Sequence, residues 1–200
     1  KANCIIISEA YAHPDELNNL GSKIIMEKCK AVLVSGMGGI GKTHICRKLF
    51  EEYYKKHKDG DEFFRYIGYI EYDGDMGSSL QKCLKYKEQE QPEANQEAAW
   101  RELEYLASDG KLLLFIDNVN VSIGSDSGLE KLKKIPGAII LTSRRRTFSK
   151  EFEPYRIGFL SMKQCKELYK KIQIINDGKI VKDEEESDLE YVIEELAAKH

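Results

Sequence analysis

Residues Gly36–Thr43 read GMGGIGKT. The string fits G-x-x-x-x-G-K-[ST], the pattern of a phosphate-binding loop. Its glycines let successive backbone N–H groups turn inward into a nest for phosphate oxygens. A following helix would aim its positive dipole end at the same anion. Lys42 is expected to reach the outer phosphates and the Thr43 hydroxyl to ligate Mg2+. Gly36, Met37, Gly38, Gly39, Ile40 and Gly41 supply the cradle, and the backbone of His44 extends it by one residue. Four fixed positions recur by chance in only about 1% of chains of this length.

The flanks agree with that assignment. Lys30–Ser35, KAVLVS, is an apolar run of buried-strand type. His44–His57 then carries Ile45, Leu49, Phe50, Tyr53 and Tyr54 at helical spacing. Outward from this core, strands are predicted at Ala31–Ser35, Phe63–Tyr72, Lys111–Asp117, Gly137–Thr142 and Tyr155–Ile157. Helices are predicted at 44–57, 78–87, 95–108 and 128–135, with Trp100 on an apolar stripe. Alternation of this kind argues a doubly wound parallel sheet. Past Gly158 the pattern turns to helix after helix. Ser161-x-x-Gln164 and Ser187-x-x-Glu190 are capping boxes, each leading an apolar stripe. The expected division is an α/β domain over 1–158 and the beginning of a helical subdomain over 159–200.

Bulk composition sets limits. The 200 residues are 42% hydrophobic and 32% charged, with a formal net charge of -3. That balance gives no reason to expect binding to nucleic acid through overall charge. No run approaches 18 uncharged apolar residues, so no membrane span is expected. Cys4, Cys29, Cys46, Cys83 and Cys165 are scattered and form no CxxC pair. Reduced thiols in a cytoplasmic protein are the expectation. The chain opens KANCIIISEA, without an initiating Met or a secretory leader, and ends with its last helical stripe still running. It is expected to be part of a longer protein.

A phosphate loop needs a carboxylate to hold the water shell of Mg2+. Lys111–Val119, KLLLFIDNV, drives five apolar residues into Asp117, the expected Walker B aspartate. Asn118 follows, where many P-loop ATPases place a second acid. An amide cannot accept the water's proton, and loss of a general base costs about 10²–10⁴ in rate. Hydrolysis is therefore expected to be slow unless another carboxylate substitutes, and Asn118→Asp should raise turnover. Gly137–Arg146, GAIILTSRRR, is an apolar strand ending in polar and cationic residues. Set between the loop strand and the Asp117 strand, it would place Thr142, Ser143 and Arg144 beside a γ-phosphate. There Arg144 would tell ATP from ADP through one charge-assisted contact.

GMGGIGKT, LLLFIDNV and IILTSR, in this order, resemble the NB-ARC class of STAND NTPases, the nucleotide switches of apoptotic scaffolds, plant resistance proteins and many bacterial regulators. The resemblance runs from about Leu17 onward and continues into Arg156–Ile172. It implies an ASCE-type P-loop NTPase fold with a parallel five-stranded sheet of order 5-1-4-3-2. It implies phosphate and Mg2+ on Lys42 and Thr43, Mg2+ support from Asp117 and γ-phosphate sensing by Arg144. Ile6 and Ile7 fall in the segment that contacts adenine in the family. Asn118 departs from the family's usual Asp-Asp pair, and the family's Gly-Leu-Pro-Leu motif has no match here. The implied function is an ATP/ADP switch with slow Mg2+-dependent hydrolysis, acting through self-association or a partner protein. Two other readings share the loop: a small-molecule phosphotransferase, and an AAA+-type ATPase associated with DNA, the latter supported only by Arg144–Arg146.

Overall fold

The computed structural model describes residues 14–25, 30–84 and 92–168. Leu17–Ile157 form one compact unit, while described residues 14–16 and 158–168 belong to a second. In the larger unit, β1 (Ala31–Ser35), β2 (Tyr66–Glu71), β3 (Leu112–Asp117), β4 (Ala138–Ser143) and β5 (Glu153–Arg156) form one sheet. All neighbours pair parallel, in the order β2-β3-β4-β1-β5. Read from the other edge this is 5-1-4-3-2, the order implied by the resemblance. The loop strand therefore lies beside β4, one strand from the Asp117 strand.

Every residue of β1, β3 and β4 is buried. Central parallel strands are covered on both faces, so they must be apolar throughout rather than alternating. Helices α1 (Pro14–Ile25) and α2 (Lys42–Lys58) lie together, with Gly21 against Leu49 and Tyr53. Phe50 of α2 packs on Tyr69 of β2 and Phe115 of β3, ring centroids 5.6 Å and 6.0 Å away. Leu33, Ile70, Leu114, Ile116, Ile139 and Leu141 feed a second cluster. It is completed by α3 (Met76–Cys83), α4 (Pro92–Ala107) and α5 (Ser127–Leu132), which supply Met76, Leu80, Trp100, Leu103, Leu129 and Leu132. Each fully buried Leu or Ile contributes about 1.5–3 kcal/mol. Gly137 fixes the entry to β4: its φ is +112°, and a Cβ there would sit 2.5 Å from the Leu112 carbonyl oxygen.

Several elements differ from the sequence expectations, among them the last strand, which runs over Glu153–Arg156 and not Tyr155–Ile157. Helix α1 was not expected, because Asn18, Asn19 and Gly21 weaken its intrinsic propensity. Tertiary burial of Leu17, Leu20 and Ile24 overrides that weakness. The strand expected over 63–72 begins only at Tyr66. Phe64 instead plugs against Tyr53 at 5.5 Å, and Arg65 and Tyr66 both donate to the Lys111 carbonyl. Helix α2 starts at Lys42, two residues earlier than its apolar stripe indicates. The helix expected over 78–87 corresponds to α3, and residues 85–87 lie outside the described residues.

In the second unit, the first capping box forms in both directions. Ser161 N donates to Gln164 Oε1 at 2.8 Å, and Gln164 N donates to Ser161 Oγ at 3.3 Å. Helix follows over 162–168. The Ser187 box and its stripe lie outside the described residues.

Candidate functional site

The β1 strand ends at buried Ser35, and the chain must then reverse into α2 within six residues. Glycine makes this possible, since Gly39 and Gly41 adopt φ of 81° and 102°. Gly41 stands at the N-cap of α2, and no side chain caps that helix end. Nor does its first turn hold an acidic residue. The leading N–H groups and the dipole end of a 17-residue helix are thus presented to an outside acceptor. Gly36 is confined as well: a Cβ would meet Ile40 Cγ2 at 3.0 Å and the Ile157 carbonyl oxygen at 3.2 Å.

Lys42 lies inside this loop, only 9% exposed. Its Nζ donates to the carbonyls of Gly36 at 3.0 Å and Met37 at 2.9 Å. Burial, followed by the charge of Arg144, holds its pKa below the ordinary lysine range, although Asp117 pulls the other way. A polyanion placed in the nest would relieve both penalties. The Arg144 guanidinium passes close to Gly38, with Nε 3.7 Å from where a Cβ would stand.

Asp117 is 5% exposed at the C-terminal tip of β3. Thr43 Oγ1 donates to its Oδ1 at 2.9 Å, and Thr142 Oγ1 donates to the same oxygen. The Thr142 hydroxyl also accepts from Asn118 N at 2.8 Å, and its carbonyl accepts from Val119 N at 2.9 Å. Asn118 adopts φ 68°, a left-handed conformation that asparagine tolerates. Its Oδ1 accepts from Asn120 Nδ2 at 2.6 Å, and Asn120 Oδ1 accepts from Arg144 N at 2.8 Å. This chain of bonds ties the tip of β3 to the tip of β4.

The structure thus brings together Gly36–Thr43, Asp117 and Arg144. Thr43 and Asp117 place hard oxygen donors side by side, the type of ligand a divalent cation such as Mg2+ takes. His44 follows on α2, half-buried. Ile6 and Ile7 lie outside the described residues. Sequence reasoning placed Thr142 near the site without giving it a bond, and it missed Asn120. The only sequence signal for Asn120 was its closeness to Asp117. Cys46, one turn into α2, is buried, and burial with Asp117 nearby pushes its thiol up, away from reactive thiolate chemistry. Beyond Asp117 opens a cavity of about 610 Å³, lined by Arg47, Tyr69, Glu71, Asp73, Lys82 and Asn118 among others.

The family model described as "NB-ARC domain" matches residues 14–178. The chain is 36% identical over 77 residues to a cytidylate kinase of Thermococcus sibiricus, a stretch covering 38% of this chain and 37% of that protein. Among solved structures it is similar to a chain of Drosophila ORC bound to DNA, with TM-score 0.55 and 15% identity over 82% of this chain and 46% of the other. It is also similar to domain III of the Thermotoga maritima replication initiation protein DnaA, with TM-score 0.52 and 15% identity over 88% of this chain and 76% of that one. The chain spans less than half the length of the kinase and of the ORC chain. At 15% identity the structural likenesses show the shared fold of a P-loop NTPase. The match to the family model covers most of the chain, which belongs to the NB-ARC domain family of nucleotide-binding P-loop NTPases.

Proposed function

We propose that this chain is the nucleotide-holding part of an ATP/ADP switch that hydrolyses ATP slowly with Mg2+ and controls the assembly of a larger protein. The observation that carries the reading is the place of Arg144. Its guanidinium lies at Gly38 of the phosphate loop, and its backbone is tied through Asn120 to Asn118, next to Asp117. One cation beside the loop's outer end interacts with a third phosphate and much less with a second. Such a differential contact, and not affinity as such, can move a two-state equilibrium. Lys42 would leave its two loop carbonyls for the phosphates, the α2 amides would hold the inner phosphate oxygens, and Thr43 and Asp117 would hold Mg2+, which would supply charge to offset that of the phosphates. A nucleotide at about 1,000 times its Kd stabilises the bound form by about 4 kcal/mol. The partner is a second copy or another protein. A cytoplasmic setting suits the free thiols of Cys46, Cys83 and Cys165.

Calorimetric titration of wild type, Lys42→Ala and Arg144→Ala with ATP and with ADP tests this reading. Lys42→Ala should lose both nucleotides by more than about tenfold. Arg144→Ala should lose about tenfold for ATP and little for ADP, as a single charge-assisted contact predicts. Equal losses for both nucleotides in Arg144→Ala would remove the switch.

A second reading is phosphotransfer. The stretch similar to cytidylate kinase and the cavity holding Arg47 and Lys82 favour it. ATP consumption that depends on an added nucleoside monophosphate would select it, and the absence of such dependence selects the switch. An AAA+-like role on DNA rests on the fold likeness and Arg144–Arg146 alone. Salt-insensitive or undetectable DNA binding would count against it.

A further inference from the structure

Asn118 puts an amide, which cannot accept a proton, in the position after Asp117, yet a second carboxylate stands one strand away. Glu71 is the last residue of β2 and pairs in register with Asp117. Two residues earlier, Tyr69 and Phe115 are also register partners, and both pack on Phe50 of α2. Side chains two apart on a strand share a face, and paired residues of parallel strands point the same way. Glu71 and Asp117 therefore both project on the face that α2 covers, where that helix begins.

The helix contacts agree. Thr43 reaches Asp117, and Arg47, one turn further along α2, reaches Glu71, with Nη2 2.6 Å from Oε1. Neighbouring strands run about 4.8 Å apart, so the two acids stand side by side. Their environments differ. Asp117 is buried and committed to two hydroxyls, whereas the Glu71 side chain is 71% exposed and one methylene longer. Both line the same open cavity together with Asn118. A shielded acid suits a metal's ligand shell, and an exposed neighbour with access to water suits proton transfer, directly or through one further water.

We propose that Glu71 is the carboxylate that accepts the proton of the attacking water during ATP hydrolysis at this site. The inference rests on the switch reading above. In the step, the water oxygen bonds to the γ-phosphorus, and the bond from that phosphorus to the oxygen bridging the β-phosphate breaks. The proton passes to Glu71, leaving ADP and inorganic phosphate, and Glu71 then returns the proton to solvent across the cavity. Arg47 is a positioning residue: its ion pair holds the carboxylate at the cavity wall.

Single-turnover ATP hydrolysis and calorimetric ATP affinity are measured on the 200-residue chain, on Glu71→Gln and on the double variant Glu71→Gln/Asn118→Asp. Glu71→Gln should hydrolyse about 100-fold more slowly, the lower end of the usual general-base effect, with ATP affinity within about threefold. The double variant should regain about tenfold, because a carboxylate is restored beside Asp117. A merely structural role for Glu71 would instead lower ATP affinity together with the rate. Wild-type hydrolysis rates in Glu71→Gln with ATP still bound would overturn this inference alone. A wild-type chain that binds ATP and never hydrolyses it would overturn it too. A wild-type chain that binds neither ATP nor ADP would bring down the switch reading and this inference together.

Discussion

The hydroxyl of Thr43 donates a 2.9 Å hydrogen bond to Oδ1 of Asp117, which lies 74 residues further along the chain. Thr142 donates to the same oxygen from the other side. One carboxylate thus fastens the first turn of α2, the tip of β3 and the tip of β4 at a single point. The bonds also fix the carboxylate's rotamer, so Asp117 faces the phosphate loop and not the solvent. Burying this charge is tolerable because both hydroxyls serve its anionic form.

Thr142→Val keeps the volume and removes the hydroxyl. Asn118 N then loses its acceptor and Asp117 one donor, in a region that is largely buried. The expected loss is about 2 kcal/mol of folding free energy. For a domain of this size that is a melting temperature lower by about 4–8 °C. Differential scanning calorimetry measures it, and a wild-type melting curve would show that the bond contributes nothing.

Lys42 gives a pH signature. Burial and Arg144 hold its pKa below the ordinary value, and phosphate oxygens beside it would raise that pKa. Between the two values the nucleotide complex holds more proton than its separated parts. Binding should therefore take up protons, and affinity should fall as pH rises. Titration just below the ordinary lysine range, in two buffers of different ionisation enthalpy, reads the uptake directly. By the same linkage the protein without nucleotide gains stability as pH rises through that window, because the unfolded chain there binds the extra proton. Identical heats in the two buffers would contradict the expectation.

Asn118→Asp should raise the single-turnover rate of ATP hydrolysis by about tenfold at unchanged nucleotide affinity. Aspartate tolerates the left-handed conformation at this position and can accept the same bond from Asn120. It would also be free of the ion pair that occupies Glu71. Rapid-quench measurement with limiting ATP decides the point, and an unchanged rate would refute it.

Asp126→Ala separates folding from the nucleotide site. The buried Asp126 carboxylate accepts from Tyr72 Oη at 3.1 Å, Met76 N at 2.7 Å and Gly128 N at 2.8 Å. It thereby caps α5 and anchors the start of α3. Its loss should cost on the order of 2–4 kcal/mol, because Met76 N and Gly128 N are left unpaired in the core, while the Tyr72 hydroxyl keeps the Gly74 carbonyl. Urea unfolding should show a lower midpoint with the same slope. Equilibrium dialysis should find ADP affinity within about twofold of wild type, since no bond to the phosphate loop changes.

Much of the fold was legible in the residues. GMGGIGKT has one local conformation that satisfies its glycines, and apolar runs such as Leu112–Ile116 suit only a strand covered on both faces. What escaped reading was held by partners distant in sequence. Helix α1 stands because Leu17, Leu20 and Ile24 are buried, which its own propensities do not show. Phe63 and Phe64 look like strand residues, yet Phe64 packs on Tyr53 and Phe63 on Phe64, which keeps both off the ladder.

By itself the sequence determined the phosphate loop, the acid that follows an apolar strand and the arginine at the end of another. Those features depend on residues adjacent in the chain, whose backbone preferences and burial pattern act locally. Only the tertiary structure decided that Thr142 and Thr43 share one oxygen of Asp117, that Asn120 joins Asn118 to Arg144, and that Glu71 stands beside Asp117. These pairings depend on strand order and on a register that aligns Glu71 with Asp117. Register is set by packing both faces of the sheet against its helices, and no stretch of sequence read alone contains it.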